Sequence, residues 1–221
     1  MKLAIYMYPT ACSRVTMTAL EEIGLDYEVR PINLMTGAQK SADYLAVNRK
    51  GKVPAMSVDG KLMTENAAIL HFLDRLYPEA ALLPHSDDPV EDNRGLADMI
   101  WCASALHPMV RQIRNPARFT KGETAGIKAD GKEKFAVECA HMATRFADGA
   151  WWFGERWSIV DTYLYWAYST AGKGNDFPVG DYPNLGAHAA RVRARPSFQR
   201  TLAKELAVVA SEKLEMNPAD L

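Results

Sequence analysis

Apolar residues in the first 80 positions alternate between the spacing of strands and the spacing of helices. Residues 2–7 form a short apolar run that predicts a buried strand, and residues 27–33 alternate as a second strand. Between these two segments, the apolar positions follow helical spacing up to Gly24, a residue type common just past a helix end: Val15, Ala19, Leu20 and Ile23. The chain therefore opens with a predicted strand–helix–strand unit.

The next elements extend this unit into a small domain. A short helix is predicted over residues 41–49, and two strands within residues 53–63 meet at an Asp-Gly turn, which is a strong hairpin signal. An amphipathic helix is predicted over residues 67–77. Together these elements predict an α/β domain with the order βαβ-α-ββα over residues 1–79.

The pattern changes after a polar, proline-containing linker, which we place at residues 80–90. Beyond it, helical spacing dominates and no further strand is predicted. Long helical patterns are predicted at about residues 90–115, 130–148, 158–171 and 185–208. We therefore expect residues 91–221 to form a second domain, an all-α helical bundle.

The composition excludes several classes of protein. The 221 residues are 48% hydrophobic with a net charge of −1, which argues against a disordered chain and against electrostatic binding of nucleic acid. No apolar stretch reaches the roughly 20 residues of a membrane helix, and the first residues do not resemble a secretion signal. The three separated cysteines are typical of a reducing compartment and not of a disulfide framework or a zinc site. We expect a cytoplasmic protein with neither a metal, a nucleic-acid partner nor a membrane partner.

Cys12 is the first candidate for chemistry, because it follows a strand and a proline-containing turn and lies at the start of a helix. The backbone N–H groups and the dipole of a helix N-terminus stabilise a thiolate. Ser13 adds a hydroxyl donor to the same place. A buried apolar cysteine beside an N-capping serine explains the same pattern, so both interpretations stay open on position alone.

Two further segments are explained either by binding of a peptide-like ligand or by the needs of the fold alone. A cis bond between Val53 and Pro54 would turn the Val53 backbone outward to pair with an extended ligand, whereas an edge-strand proline is the simpler interpretation. Glu65 and Asn66 precede a helix. There they either cap the helix or hold a ligand that has both an ammonium and a carboxylate group.

The notable residues of the helical region are explained by the fold without a ligand. Ser158 and Asp161 form a capping box ahead of an apolar helix, which explains both side chains. His107 is a lone histidine followed by Pro108, and by itself it is more typical of a satisfied polar residue than of a catalyst.

The order of these motifs resembles that of the cytosolic glutathione S-transferase family. The matching segments are Tyr-Pro-x-x-Cys-Ser at 8–13, Asn-x-Lys-Gly-Lys-Val-Pro at 48–54, Thr-Glu-Asn-Ala-Ala-Ile at 64–69 and Phe-Gly-Glu-Arg-Trp-Ser-Ile-Val-Asp at 153–161. Within the family the chain is most similar to the bacterial beta class, in which a cysteine replaces the usual catalytic tyrosine or serine. The resemblance implies a thioredoxin-like first domain, reduced glutathione as co-substrate and a homodimer.

The resemblance also implies roles for individual residues. The catalytic candidates are Cys12, Ser13 and His107, with His107 approaching the glutathione sulfur. Val53 would pair with the glutathione backbone beside a cis Pro54. The γ-glutamyl end and the glycyl carboxylate would be held by Glu65, Asn66 and Lys52. A pocket for a small hydrophobic electrophile or a disulfide would be lined by Tyr8, Met109 and Trp166.

Three positions depart from the family pattern. Asn66 stands where the family usually has a serine, or a glycine in parts of the beta class. Gly37 and Pro108 stand near or at positions where the beta class has lysines, and Lys40 is the nearest substitute for the lysine expected near Gly37.

The predicted function is a glutathione-dependent transferase that conjugates or exchanges the glutathione thiol. The alternatives are a glutathione-dependent isomerase, which would normally have Ser-Ser-Cys in place of Thr-Ala-Cys at 10–12, and a non-catalytic binding or stress-response protein. The group that contacts the sulfur stays open among Cys12 and its neighbours Tyr6, Tyr8, Thr10 and Ser13.

Overall fold

Four strands form a single sheet in the computed structural model, which describes residues 1–216 except for the side chain of Asn175. The sheet order is β2-β1-β3-β4, with β1 parallel to β2 and antiparallel to β3, and with β3 antiparallel to β4. The strands are β1 (Leu3–Met7), β2 (Glu28–Pro31), β3 (Ala55–Val58) and β4 (Lys61–Thr64). Three helices are interspersed with them, α1 (Ser13–Ile23), α2 (Ala42–Val47) and α3 (Asn66–Leu76). This arrangement confirms the predicted βαβ-α-ββα order and the thioredoxin-like class.

Helices make up the rest of the described chain, and no strand follows β4 up to residue 216. They are α4 (Pro89–Asp92), α5 (Arg94–Trp101), α6 (His107–Arg114), α7 (Ala125–Asp148), α8 (Ile159–Gly172), α9 (Pro183–Ala194) and α10 (Pro196–Ser211). None of the helices in residues 1–216 is both long and apolar enough to cross a bilayer.

The helical pattern predicted over 185–208 is interrupted once. Arg195 adopts an extended conformation (φ −66°, ψ 135°) and separates α9 from α10. The reason is Pro196, because a proline ring disfavours the helical conformation of the residue before it. Pro196 then occupies the first turn of α10, where its missing N–H costs nothing.

The chain divides into two compact units, and the last helix belongs to the first of them. Among the described residues, one unit consists of Met1–Leu82 and residues 195–216, and the other is Leu83–Ala194. Helix α10 packs on α1, where the Thr18 hydroxyl donates to that of Thr201. The prediction placed all of residues 91–221 in the helical domain, whereas α10 groups with the sheet-containing unit and packs against α1.

A buried hydrogen-bond network fixes the start of α8 in the second unit. The Asp161 carboxylate accepts from the Trp152 N–H at 2.7 Å, from the Ser158 N–H at 2.8 Å and from the Ser158 hydroxyl at 3.1 Å. It also accepts from His188 Nε2 at 3.0 Å. A carboxylate can only accept, so Nε2 carries the ring proton, and His188 Nδ1 then accepts from the Tyr168 hydroxyl at 2.9 Å. The predicted capping box is present, and it is part of a larger structural network.

The buried imidazole makes stability depend on pH. Burial lowers the pKa of His188 below its ordinary value of 6.5, although the Asp161 carboxylate opposes the shift. The folded protein therefore keeps His188 neutral, whereas the unfolded chain binds a proton below pH 6.5. We expect the free energy of unfolding to be unaffected by this group above that pH and to fall below it, by up to about 1.4 kcal/mol per pH unit. Denaturant titrations of the wild type and His188→Gln test this, and equal pH slopes for the two proteins would refute it.

Candidate active site

The turn between β1 and α1 places Cys12 at the N-cap, directly before the first residue of the helix. The Ala11 N–H donates to the Tyr8 carbonyl at 3.1 Å, and Thr10 has a positive φ of 65°. Cys12 is 6% exposed, and its thiol lies 3.6 Å from the carbonyl oxygen of Val53, to which it donates. Two segments that the sequence presents 41 residues apart therefore meet at one thiol.

Ser13 closes this turn. Its hydroxyl donates to the Tyr8 carbonyl at 3.1 Å and accepts from the Tyr8 N–H at 3.3 Å, and the side chain is fully buried. These contacts engage the hydroxyl within the protein, and a catalytic role for Ser13 stays a prediction.

Asn66 connects the two helices that begin at the site. Its Nδ2 donates to the Cys12 carbonyl at 3.0 Å, and its Oδ1 accepts from the Thr16 hydroxyl. The amide is 6% exposed, so the side chain holds Cys12 in place. Contact of Asn66 with a γ-glutamyl carboxylate stays a prediction, and the backbone N–H groups of the first turn of α3, which a helix leaves without intrahelical acceptors, lie beside it.

Glu65 is held in a sparsely populated backbone conformation directly before α3, with φ 73° and ψ 119°. Such a conformation costs about 1–3 kcal/mol for a residue with a side chain and is concentrated at functional sites. The Glu65 carboxylate is 59% exposed and accepts from Lys50 Nζ at 2.6 Å, and Lys50 also donates to the Thr64 hydroxyl. No pattern in the sequence indicates that Lys50 is the partner of Glu65.

The segment that contains Val53 is fixed from one side by two polar groups. The Val53–Pro54 bond is cis, as the family resemblance implies. The Lys52 carbonyl accepts from the Tyr44 hydroxyl at 2.7 Å and from Asn48 Nδ2 at 2.8 Å. The Lys52 side chain itself is exposed and is available to a ligand carboxylate.

Gly51 allows this segment to pack closely. Its φ is +57°, and an added Cβ would lie 2.7 Å from the Gln39 carbonyl oxygen and 2.8 Å from Lys40 Nζ. We expect Gly51→Ala to lower the free energy of unfolding by about 1–3 kcal/mol more than Gly60→Ala does. Gly60 is the matched control, since its φ is +82° but no atom lies within 4 Å of the added Cβ. Equal losses in chemical denaturation would show that the close approach is unimportant.

The tyrosines near Cys12 are engaged elsewhere or buried. The Tyr6 hydroxyl accepts from Arg30 Nη1 at 2.8 Å. Tyr8 is 7% exposed and packs with Tyr44 and Val53, and burial raises the pKa of the Tyr8 phenol. A raised phenol pKa disfavours the phenolate, so Cys12 is the best-placed group for thiol chemistry in this unit.

The surroundings of the other two cysteines, Cys102 and Cys139, disfavour a thiolate. Burial raises the pKa of Cys139 to about 12 and that of Cys102 well above its ordinary value. All three cysteines are free thiols, and the described residues contain no cluster of side chains suited to a metal ion.

His107 begins α6 in the second unit, directly after a π-helical turn over Cys102–Leu106. Its backbone N–H donates to the Cys102 carbonyl, five residues back, and the next residue is Pro108, which cannot donate. The His107 ring centroid lies 4.4 Å from a Trp166 ring centroid. The structure therefore brings together two of the predicted site residues of this unit.

The proposed pocket residues differ in how accessible they are. Tyr8 and Trp166 are buried, at 7% and 4% exposure. Met109 is half-buried, and its carbonyl lies against Gly131 of α7. The assignment of these three residues to a second-substrate pocket stays a prediction.

Comparison with known proteins agrees with the fold and with the motifs. The profile described as glutathione S-transferase, N-terminal domain, matches residues 1–75. A maleylacetoacetate isomerase from Pseudomonas aeruginosa is 34% identical over 206 residues, which cover 90% of this chain and 94% of that protein. Glutathione S-transferase GstA from Escherichia coli is 28% identical over 210 residues, covering 91% of this chain and 98% of that protein.

Solved structures of glutathione transferases also resemble this chain over nearly its full length. A glutathione transferase homologue from Sulfitobacter with bound glutathione superposes with a TM-score of 0.81 at 26% identity, covering 96% of this chain and 99% of that one. A bacterial beta-class glutathione S-transferase from Sphingomonas chungbukensis gives a TM-score of 0.78 at 30% identity, covering 91% and 98%. The shared fold, the domain profile and matches over nearly the full length of both chains show that this chain belongs to the glutathione S-transferase family.

Proposed function

We propose that this protein is a glutathione-dependent transferase that conjugates the glutathione thiol to an electrophile or exchanges it with a disulfide. The observation that supports this most directly is the meeting of the Cys12 thiol with the Val53 carbonyl, beside cis Pro54, at the start of α1. An extended tripeptide needs backbone partners and a place for its sulfur, and this arrangement offers both within one unit.

Each end of glutathione has a complementary group in the same unit. The exposed Glu65 carboxylate suits the γ-glutamyl ammonium, and the first turn of α3 suits the adjacent carboxylate. At the other end, Lys52 suits the glycyl carboxylate. Lys40 adds a second cation, because its ammonium lies against Gly51, next to Lys52.

The chemistry at the sulfur takes one of two forms. In conjugation, the glutathione thiolate forms a bond to an electrophilic carbon and the leaving group departs with its electron pair, while the thiol proton goes to solvent or a nearby base. In exchange, a thiolate of Cys12 attacks a glutathione-containing disulfide, and the other sulfur leaves as a thiolate. Donors at the N-terminus of α1 favour the anionic sulfur in both cases.

Within the family, we infer that the chain acts as a beta-class enzyme. Cys12 supports this inference, because that class has a cysteine in place of the usual catalytic tyrosine or serine. A cytoplasmic homodimer belongs to the same proposal, since it is the usual form of the family.

A glutathione-dependent isomerase is the second candidate. It is favoured by the similarity to the Pseudomonas aeruginosa maleylacetoacetate isomerase, which extends over nearly all of both proteins. The Thr-Ala-Cys sequence at 10–12 counts against it, because such isomerases normally have Ser-Ser-Cys there.

Three assays on one preparation distinguish these functions: conjugation of an aryl chloride, reduction of hydroxyethyl disulfide and cis–trans isomerisation of a maleyl substrate, all with reduced glutathione. We expect turnover in the first two assays and loss of disulfide reduction in Cys12→Ala, since the mixed disulfide needs that sulfur. Cys139→Ala is the matched control and keeps its activity, because that thiol is buried in α7. Isomerisation alone would favour the second candidate, and glutathione binding without any turnover would favour a non-catalytic protein.

A further inference from the structure

Lys50 forms an ion pair with Glu65, directly before the start of α3. Its Nζ lies 2.6 Å from Glu65 Oε1 and donates to the Thr64 hydroxyl at 3.0 Å. The Lys50 backbone is fixed as well, because its N–H donates to Asn48 Oδ1 at 3.1 Å. The pair therefore joins the turn before Val53 to the segment that leads into α3, although the two partners are 15 residues apart in the chain.

The stability of the fold does not account for this pair. The side chains of Lys50 and Glu65 are 36% and 59% exposed, and ion pairs with this much access to solvent contribute little to folding. Glu65 nevertheless adopts an unfavourable backbone conformation, and such conformations are concentrated at functional sites. The fold thus holds an ammonium and a carboxylate next to each other where a ligand can reach both.

The Lys50 ammonium retains a donor for a ligand. A lysine ammonium has three N–H donors. Within residues 1–216, the only acceptors that it contacts are the Glu65 carboxylate and the Thr64 hydroxyl, which leaves one N–H unused. Helix α3 makes its first backbone bond from the Ile69 N–H to the Glu65 carbonyl at 3.0 Å, so the N–H groups between these two residues have no acceptor within the helix. An anion beside Lys50 would therefore be stabilised.

The end group of an α-amino acid matches the charges of this pair. Its ammonium and its carboxylate are bonded to one carbon, so the two charges are neighbours, as those of Lys50 and Glu65 are. When such a group lies against the pair with its charges in the opposite order, each charge forms charge-assisted hydrogen bonds with its opposite. A ligand with only one of these charges leaves one member of the pair unmatched and brings its own charge near a like charge.

We propose that Lys50 binds the α-carboxylate of the γ-glutamyl group, so that Lys50 and Glu65 together select a ligand whose end group carries both charges. The inference rests on the proposed function, because that function places the γ-glutamyl end of glutathione at Glu65. It adds a side chain that recognises the carboxylate, and it assigns the discrimination between γ-glutamyl peptides and peptides without this carboxylate to Lys50.

Glutathione and 4-aminobutyryl-cysteinylglycine differ only in the α-carboxylate, and comparing them tests the proposal. Their affinities are measured by calorimetry, with displacement titrations where binding is weak. We expect Lys50→Gln to weaken the binding of glutathione at least about tenfold and not to weaken that of the analogue, which has no carboxylate at this position. Lys50→Arg keeps the positive charge and should restore most of the affinity for glutathione.

A lysine outside the site is the control. Lys61→Gln removes one exposed positive charge from the start of β4, about 10 Å along the strand from Thr64, and should bind both ligands as wild type does. A loss in Lys61→Gln as large as that in Lys50→Gln would show an effect of net charge and would refute the contact.

Two further results would overturn the proposal. Equal weakening of both ligands by Lys50→Gln would show that Lys50 only holds Glu65 in position. Unchanged affinity for glutathione in Lys50→Gln would show that Lys50 does not contact the ligand. Wild type that fails to bind glutathione refutes the proposed function itself, whereas normal binding by wild type with either of these results refutes only the role of Lys50.

Discussion

Asp161→Ala is expected to lower the free energy of unfolding by about 4 kcal/mol or more. The carboxylate is fully buried and accepts hydrogen bonds from the Trp152 N–H, from the N–H and hydroxyl of Ser158 and from His188. Alanine leaves these donors buried without an acceptor, and each such group costs about 1–3 kcal/mol. The start of α8 also loses its cap. Urea denaturation of the two proteins measures the difference.

Two other variants keep this prediction testable if Asp161→Ala does not fold. Asp161→Asn retains one acceptor oxygen and should lose less stability than the alanine variant. Asp148→Ala removes an exposed aspartate from the end of α7 and should change stability by less than about 0.5 kcal/mol. A loss in Asp161→Ala no larger than that in Asp148→Ala would contradict the account of the network.

Glu205→Ala is expected to lower the free energy of unfolding by about 3–5 kcal/mol. Arg14 and Glu205 form an ion pair with side-chain exposures of 3% and 0%, so the substitution leaves a buried guanidinium without its counter-charge. Glu205 also accepts from the Thr10 N–H at 3.2 Å. The turn that precedes Cys12 therefore loses a contact, and glutathione binding should weaken along with stability.

A double substitution tests whether the loss of stability comes from the unpaired buried charge. Apolar replacement of both partners, Arg14→Met with Glu205→Leu, should recover a large part of the stability lost in Glu205→Ala, because no buried charge remains. Glu212→Ala is the control, since this exposed residue follows the same helix. If the double variant is as unstable as Glu205→Ala, the loss does not come from an unpaired charge.

Features set by neighbours in the chain could be predicted from the sequence. Gly24 ends α1 in the left-handed conformation with its N–H on the Leu20 carbonyl, and the Asp59-Gly60 turn joins β3 to β4. The capping box at Ser158 was predicted for the same reason. Each of these features depends on two to four consecutive residues, so local propensity suffices to specify it.

Features that join distant segments could not be predicted in this way. Glu205 lies 191 residues from Arg14, and Asn66 lies 50 residues from Thr16. The sequence contained one usable signal, because Glu205 lies at core-facing spacing between Thr201 and Val208, where a charge requires a buried partner. No local pattern indicates that the two ends of the Asn66 amide contact the Cys12 carbonyl and the Thr16 hydroxyl.

Isothermal titration calorimetry measures whether the first unit binds glutathione with the γ-glutamyl end at Glu65. Reduced glutathione, and cysteinylglycine, which lacks the γ-glutamyl group, are titrated into wild type, Glu65→Gln and the exposed control Glu79→Gln. We predict saturable binding of glutathione by wild type and Glu79→Gln, and at least about tenfold weaker binding for cysteinylglycine and for Glu65→Gln. Equal affinity for the two peptides, or no binding of glutathione by wild type, would contradict the account.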